Sequence, residues 1–295
     1  MMRSLYSGVS GLRSHQVRMD VIGANLANVN TVGFKCSRVT FRDVLYQTSI
    51  NASSPTDDGS GTARGGVNPS QIGLGVGVAA IDVLNTRAGP MLTDRPYDVY
   101  IDGEGYFAVM DANQNVFYTR VGDFNFDPMG RLVDGNGNFV LGLSDVDPEN
   151  VVIGEEADFD TYGPITIDQE LFANLTQIRI GLDGIITGFN NDPDAADDEV
   201  TIPLGQIMLF KFINPDGLSQ EGNTYVLPSP NSGDPLVFTP GYGTGRLITN
   251  RLEMSNVEVS KEFTDMIVTQ RGFQANSRII TVSDEMLQEL VNLKR

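Results

Sequence analysis

Residues 256–293 read NVEVSKEFTDMIVTQRGFQANSRIITVSDEMLQELVNL. Val259, Met266, Phe273, Ile280 and Leu287 stand seven apart without a break, and Phe263, Leu290 and Leu293 widen the stripe. A sustained period of seven is the seam of a helix wound on a partner helix, whereas a helix lying on a globular core has a looser 3.6-residue stripe. Ser255 and Asn256 offer N-cap chemistry, Ser260 offers a second start, and no proline follows Pro240. The spacing therefore predicts one long C-terminal helix.

The other end of the chain has the same rhythm. Over residues 3–29, Leu5, Leu12, Met19 and Leu26 recur every seven positions, with Val9, Ile22 and Val29 on the same face. Gly8, Gly11 and Gly23 interrupt this helix, at a cost to its stability in isolation. The remaining faces carry Ser, Gln, Arg and Asn, so the apolar stripe is narrow. Two readings follow. The two ends pack as a helical pair on the body of one globular domain, or they form an antiparallel coiled coil whose seam continues into other subunits. The unbroken heptads favour the second.

Between the ends the chain reads as β. Its 32 glycines and 14 prolines are heavy turn chemistry. Residues 49–72 are rich in Ser, Gly, Asp, Asn and Pro and read as a linker or long loop. Strands are expected at 98–101, 106–110 and 116–120, with hairpin signals at Asp134-Gly135 and Asn136-Gly137. Further strand-like runs lie at 151–153, 165–167, 178–186, 206–212 and 225–227. The expected fold is mainly β with long α-helical termini, the N- and C-terminal helices forming a coiled coil around nested, discontinuous domains. These are 1–72 with 251–295 (helical coiled coil plus linker), 73–143 with 203–250 (β-rich core) and 144–202 (an acidic inserted outer β domain).

The net charge of −18 is unevenly spread. Residues 144–202 hold fifteen acidic side chains and one basic one, Arg179, while residues 1–50 hold six basic and two acidic. Nucleic-acid binding needs a basic surface that releases counterions, so nucleic acid is not an expected partner, and neither is an anionic membrane. No stretch of 18 apolar residues is present to insert into a bilayer. Residues 1–27 lack the apolar core and cleavage pattern of a secretory signal, so no cleaved signal is expected. With one cysteine, Cys36, and one histidine, His15, an intramolecular disulfide is impossible and a Cys/His zinc site cannot form within one chain. A Ser-His-Asp triad would have to draw on His15, in the first helix.

Other motifs reduce to local structure. Gly73-Leu74-Gly75-Val76-Gly77 has the glycines of a phosphate loop, but a β-branched run from Val76 to Val83 follows where a helix is required, so a strand or bulge is expected. Asp134, Asn136 and Asn138 match the first positions of a calcium loop, but Phe139 stands where the turn glycine belongs and Asp145 where the bidentate Glu belongs. Hairpin turns account for them better. The acidic run at 192–199 reads as a solvated loop, and Cys36 as a small buried apolar residue. No catalytic, cofactor-binding or metal site is assigned.

The two ends and the interior together resemble a known family. Ser4-Leu5-Tyr6-Ser7-Gly8-Val9-Ser10-Gly11-Leu12 opens the chain, followed by Asn25-Leu26-Ala27-Asn28, Thr31 and Gly33-Phe34-Lys35. Ile101-Asp102-Gly103-Glu104-Gly105-Tyr106-Phe107, Tyr118-Thr119-Arg120-Val121-Gly122-Asp123-Phe124 and Gly130-Arg131-Leu132-Val133 follow in order. Leu252-Glu253-Met254-Ser255-Asn256-Val257 leads to Met266-Ile267-Val268-Thr269-Gln270-Arg271-Gly272-Phe273-Gln274-Ala275-Asn276-Ser277. These are similar to the signatures of bacterial flagellar rod and hook proteins, over roughly residues 1–145 and 205–295, with the acidic middle outside.

The resemblance implies a non-enzymatic structural subunit that self-assembles into a helical tube, with terminal helices innermost, the β domain next and any insertion outermost. It implies export by the flagellar type III apparatus without signal cleavage, residence in the flagellum, and no cofactor. Within the family, Met1 to Leu12, the ending from Gln288 to Arg295 and the inserted middle favour the hook branch over the distal rod. The implied partners are further copies of the chain, the distal rod protein, the hook cap protein, the hook–filament junction proteins and the hook-length control protein. The expected subunit interface is Leu5, Val9, Leu12, Met19, Ile22, Leu26 and Val29 with Val259, Phe263, Met266, Phe273, Ile280, Leu287 and Leu290. A reading of a different class is a secreted acidic carbohydrate-binding or hydrolytic β protein with a helical stalk, for which paired carboxylates are plentiful but tryptophan for sugar stacking is lacking.

Overall fold

The computed structural model describes residues 2–55, 65–144, 152–156, 162–190 and 201–293. It is mostly β, with one long helix at each end, α1 (Met2–Ala27) and α3 (Val259–Leu293), and a short helix, α2 (Gln169–Asn174). The chain divides into two compact units. The first is Met1–Ala27, Ser37–Leu84 and Val257–Arg295, and the second is Asn28–Cys36 and Asn85–Asn256.

In the first unit α1 packs on α3 and on an antiparallel pair of strands, Ser37–Asp43 with Val76–Val83. Tyr46–Ile50 and Ser70–Gly73 continue that pair outward, and a bridge between Ser53 and Val67 extends it further. The ends of the expected linker are thus part of a paired arm, because Ile50 and Ile72 within it, and Tyr46 and Thr48 just before it, are β-formers. The expected strand from Val76 to Val83 is present with those bounds.

The second unit is built on an 11-stranded sheet. Its central strands, such as Val116–Thr119 and Phe107–Met110, are apolar without alternation because both faces are covered. Phe107 and Val109 point into one core with Val99, Ile101, Phe124 and Ile186. Their neighbours Tyr106 and Ala108 point into a second core with Tyr118, Met208, Phe210 and Phe212. Edge-to-face rings fill both cores, Phe107 on Phe124 at 5.0 Å and Tyr118 on Phe212 at 4.9 Å between centroids. The expected strands appear at Val99–Asp102, Phe107–Met110, Val116–Thr119 and Tyr225–Leu227.

Three details differ from expectation. The run 178–186 is not one strand but the turn of a hairpin, Leu175–Ile180 and Ile185–Asn190, reversed at Gly184, whose φ is +78°. The run 206–212 is split into Thr201–Ile207 and Leu209–Lys211, which pair in different sheets. The expected boundary at 143/144 does not coincide with a break in the sheet. Thr201–Ile207 pairs with Phe139–Leu143, and Ile165, Ile167, Ile180 and Ile186 belong to the same core as Val99 and Phe107. The acidic run at 192–199 and part of the run at 151–153 lie outside the described residues.

Candidate assembly surfaces

The helix pair is antiparallel. A Cβ on Gly8 would lie 3.3 Å from Ile280, one on Gly11 2.6 Å from Asn276, and one on Gly272 2.7 Å from His15. Arg18 closes the series with an ion pair to Asp265 at 2.8 Å. Gly8 and Gly11, two of the three glycines that interrupt the N-terminal seam, are therefore points of close approach to α3, where tight packing offsets their cost in helix propensity, whereas Gly23 has nothing within 4 Å.

The most buried positions of this contact are small or polar. Gly8, Gly11 and Ser14 are buried on α1, and Thr269 and Ser283 on α3. Their hydroxyls need no partner across the seam. Thr269 Oγ1 donates to the Asp265 carbonyl at 2.6 Å, and Ser283 Oγ to the Ile279 carbonyl at 2.7 Å. Ser14 Oγ donates to the Ser10 carbonyl at 3.0 Å.

Most of the apolar heptad residues flank this seam, while Ile280 packs into it against Gly8. Ile22 is buried, and Leu5, Leu12, Met19, Leu26 and Val29 are half-buried, as are Met266, Ile280 and Leu287. Val9, Val259, Phe263, Phe273 and Leu290 are exposed. So are Ile267, Val268, Ile279, Val282 and Val291, which the heptad reading did not single out. On the strand arm Leu45 is 78% exposed, and Tyr46, Ile50 and Ile72 are each more than half exposed. A two-stranded ribbon with both faces in water is marginal alone. Removal of one such side chain from water is worth about 1.5–3 kcal/mol.

A second cluster lies in the second unit, where the motifs quoted above meet. Glu253, fully buried, accepts from Lys35 Nζ at 2.6 Å, from Arg120 Nη1 at 3.1 Å and from the Ala88 amide at 3.0 Å. Lys35 Nζ also donates to the Thr86 carbonyl at 2.9 Å, and Arg120 Nη2 to the Gly103 carbonyl at 2.7 Å. The Arg120 guanidinium lies 5.4 Å from the centre of the Tyr106 ring. Burial holds the Lys35 ammonium below its ordinary pKa despite the attraction of Glu253. Gly103, at φ +153°, meets Gly245 so closely that a Cβ would lie 2.5 Å from the Gly245 Cα. Asn256 does not cap α3, which starts at Val259. Its Oδ1 accepts from the Cys36 amide at 2.7 Å and its Nδ2 donates to Thr86 Oγ1 at 3.0 Å. Sequence reasoning quoted Lys35, Arg120 and Glu253 without assigning them a role and read Asn256 as a cap, because only the fold shows that they converge.

The remaining motifs are explained by their geometry. Asn25 of the Asn-Leu-Ala-Asn stretch holds the start of a strand, donating to the Ser37 carbonyl at 2.8 Å and accepting from its amide at 2.9 Å. Asp134 Oδ1 accepts from the amides of Asn136 at 2.8 Å and Asn138 at 3.1 Å, and Oδ2 accepts from the Tyr225 hydroxyl. That carboxylate fastens a turn, and both its oxygens are occupied. Among the described residues no group of three or more His, Cys, Asp or Glu converges as a metal site, and no helix is long and apolar enough to cross a membrane.

Comparison with known proteins matches three family models. Residues 5–35 match "Flagella basal body rod protein", 100–188 "Flagellar hook protein FlgE/F/G D1 domain" and 248–293 "Flagellar basal body rod FlgEFG protein C-terminal". The second match runs through the first part of the acidic stretch, which the sequence reading had left outside the resemblance. The flagellar basal-body rod protein FlgG of Bacillus subtilis is 44% identical over 297 positions, covering all of both chains. In Borreliella burgdorferi the flagellar hook protein FlgE is 31% identical over 450 positions and the basal-body rod protein FlgG 35% identical over 296, again over all of both chains. The chain belongs to the flagellar hook and basal-body rod protein family. It is a structural component of the bacterial flagellum, the organelle of motility, and it polymerises there.

Proposed function

We propose that this chain is the hook subunit, which self-assembles into a helical tube that joins rod to filament and transmits torque while bending. The observation that carries this reading is a contrast between two proteins of one organism. Thirty-one per cent of 450 aligned positions is about 140 identical residues shared with the Borreliella hook protein. Thirty-five per cent of 296 is about 104 shared with its rod protein. A distal rod subunit is the second reading, about equally supported, since the Bacillus rod protein is 44% identical over 297 positions and length also favours the rod. The 450 positions of the hook alignment exceed this chain's 295 residues by 155, whereas the rod alignment is one position longer than the chain.

In either reading the helices form the inner layer as a coiled coil. The flanking apolar residues, from Leu5, Val9, Leu12, Met19, Leu26 and Val29 to Val259, Phe263, Met266, Phe273, Ile280, Leu287 and Leu290, are the surface that meets other copies, while Ile22 of the expected set is buried within the chain. The small seam leaves them free for that use. A heterologous contact that does not close on itself generates a helical tube. The layers are those read from the sequence: 1–72 with 251–295 innermost, 73–143 with 203–250 next and 144–202 outermost. Pairing of Ser37–Asp43 with Val76–Val83 carries inner-layer material to residue 83, and the outer part is a layer, not a separately folded body. The acidic surface keeps unassembled chains apart. Export by the type III apparatus without signal cleavage, and contacts with the distal rod, hook cap, hook–filament junction and hook-length control proteins, belong to the same proposal.

Immunogold labelling of isolated hook–basal bodies, with antibody purified on a peptide of residues 191–200, tests it. Gold along the curved segment outside the envelope is the expected result. Gold confined to the straight rod assigns the distal rod. An accessible epitope with no gold on the structure overturns both.

A further inference from the structure

The chain passes between its two units four times, after Ala27, Cys36, Leu84 and Asn256. Three segments of the second unit supply these passages, and all three end in the cluster around Glu253. The Gly33 amide donates to the Glu253 carbonyl at 2.8 Å, the Cys36 amide to Asn256 Oδ1 at 2.7 Å, and the Ala88 amide to Glu253 Oε1 at 3.0 Å. The Asn256 amide donates to the Phe34 carbonyl at 3.4 Å. Lys35 Nζ spans two segments, reaching the Thr86 carbonyl and Glu253, while Arg120 ties the same carboxylate to the sheet.

We propose that Glu253 and its two cations are a mechanical clamp. They fasten every segment leaving the β unit to one buried anion, so that load entering by any one passage is shared by all three. Three independent linkers would need only local hydrogen bonds. A buried charge set is costly to assemble and costlier to break one partner at a time, because the remaining ions are left unpaired in the interior. That asymmetry makes the segments release together. The clamp lies within a single chain and does not depend on whether the assembled structure is hook or rod.

Hydrogen–deuterium exchange on the purified full-length monomer tests it. In Glu253→Gln the amides of Gly33, Cys36, Ala88 and Asn256 are expected to exchange faster by a common factor, roughly tenfold or more. The amides of Val99 and Leu247, bonded to the carbonyls of Gly122 and Leu182, stay slow. Acceleration of Ala88 alone overturns the clamp. If Glu253→Gln unfolds the whole unit, seen as Val99 and Leu247 accelerating equally, Lys35→Met decides. It keeps the Arg120–Glu253 pair, and a smaller common acceleration of the same four amides is expected. Acceleration of none of them, or of fewer than three segments, overturns the proposal.

Discussion

His15 lies against Gly272 so closely that a Cβ on the glycine would stand 2.7 Å from the imidazole Cε1 and 2.8 Å from Nε2. Replacing a mid-helix glycine by alanine ordinarily stabilises a helix by about 1 kcal/mol. At this position the sign reverses, because the ring also packs edge-to-face on Phe41, 5.7 Å away between centroids, and must shift to admit the methyl. Gly272→Ala is expected to destabilise the helix pair by about 1–3 kcal/mol. Gly23→Ala, where nothing lies within 4 Å of the added methyl, is expected to stabilise it by about 1 kcal/mol. Thermal unfolding followed by helical circular dichroism checks both signs, and equal effects at the two sites would refute the close-approach account.

The same histidine makes the pair sensitive to acid. His15 Nδ1 is buried without a hydrogen-bond partner. Burial first, and the Arg18 charge second, hold the imidazole pKa below 6.5, while Asp265 across the helix pair is engaged by Arg18. A base whose folded pKa is lowered binds fewer protons folded than unfolded. Its contribution to stability is complete above pH 6.5 and falls as the pH drops from there toward the folded value. The melting temperature of the helices should therefore decline between pH 7.5 and pH 5, and the decline should flatten in His15→Asn. An unchanged slope in that variant would assign the effect to other groups.

Alkali acts on the second unit through Tyr225. Burial, followed by the hydrogen bond to Asp134, pushes its phenol up to about 12 from 10.0. An acid with a raised folded pKa gives stability that is complete below pH 10 and lost as the pH climbs through 12. Tyr225→Phe removes that dependence. It also leaves Asp134 one partner short, at a cost of about 1–3 kcal/mol at neutral pH in denaturant unfolding.

Phe263 and Leu290 are exposed in the single chain, at 48% and 49%. Changing both to serine is expected to leave monomer stability within about 0.5 kcal/mol per site. Polymerisation seeded on purified hook–basal bodies should fail or slow markedly, since each side chain forfeits about 1.5–3 kcal/mol of burial. Normal polymer growth, measured by sedimentation, would remove these residues from the interface.

How far the chain could be read without coordinates depended on whether a pattern was local. The heptads from Val259 to Leu287 and the β-branched run from Val76 to Val83 mark their own elements, and both are present. The hairpin over Ile185–Asn190 was missed because Leu182-Asp183-Gly184 is a turn set between apolar runs that read as one. The seam was half legible. Heptads locate the helix face, but they do not show that Gly11, Gly272, Thr269 and Ser283 form its centre, since close approach is a property of two helices at once. The Glu253 cluster was opaque for the same reason: its cations lie 218 and 133 residues away along the chain.

That separation also sets a timetable. The chain is made from its N-terminus, and Lys35 and Arg120 emerge long before the carboxylate that neutralises them. Until residue 253 is synthesised, closing the β unit would bury two cations without an anion, at a penalty of several kcal/mol. Strand Val99–Asp102 likewise waits for Arg246–Thr249, and Pro90–Leu92 for Arg251–Glu253. The second unit therefore cannot close in its final form until residue 253 has emerged, although local hairpins such as Phe107–Met110 with Val116–Thr119 need nothing from the last stretch.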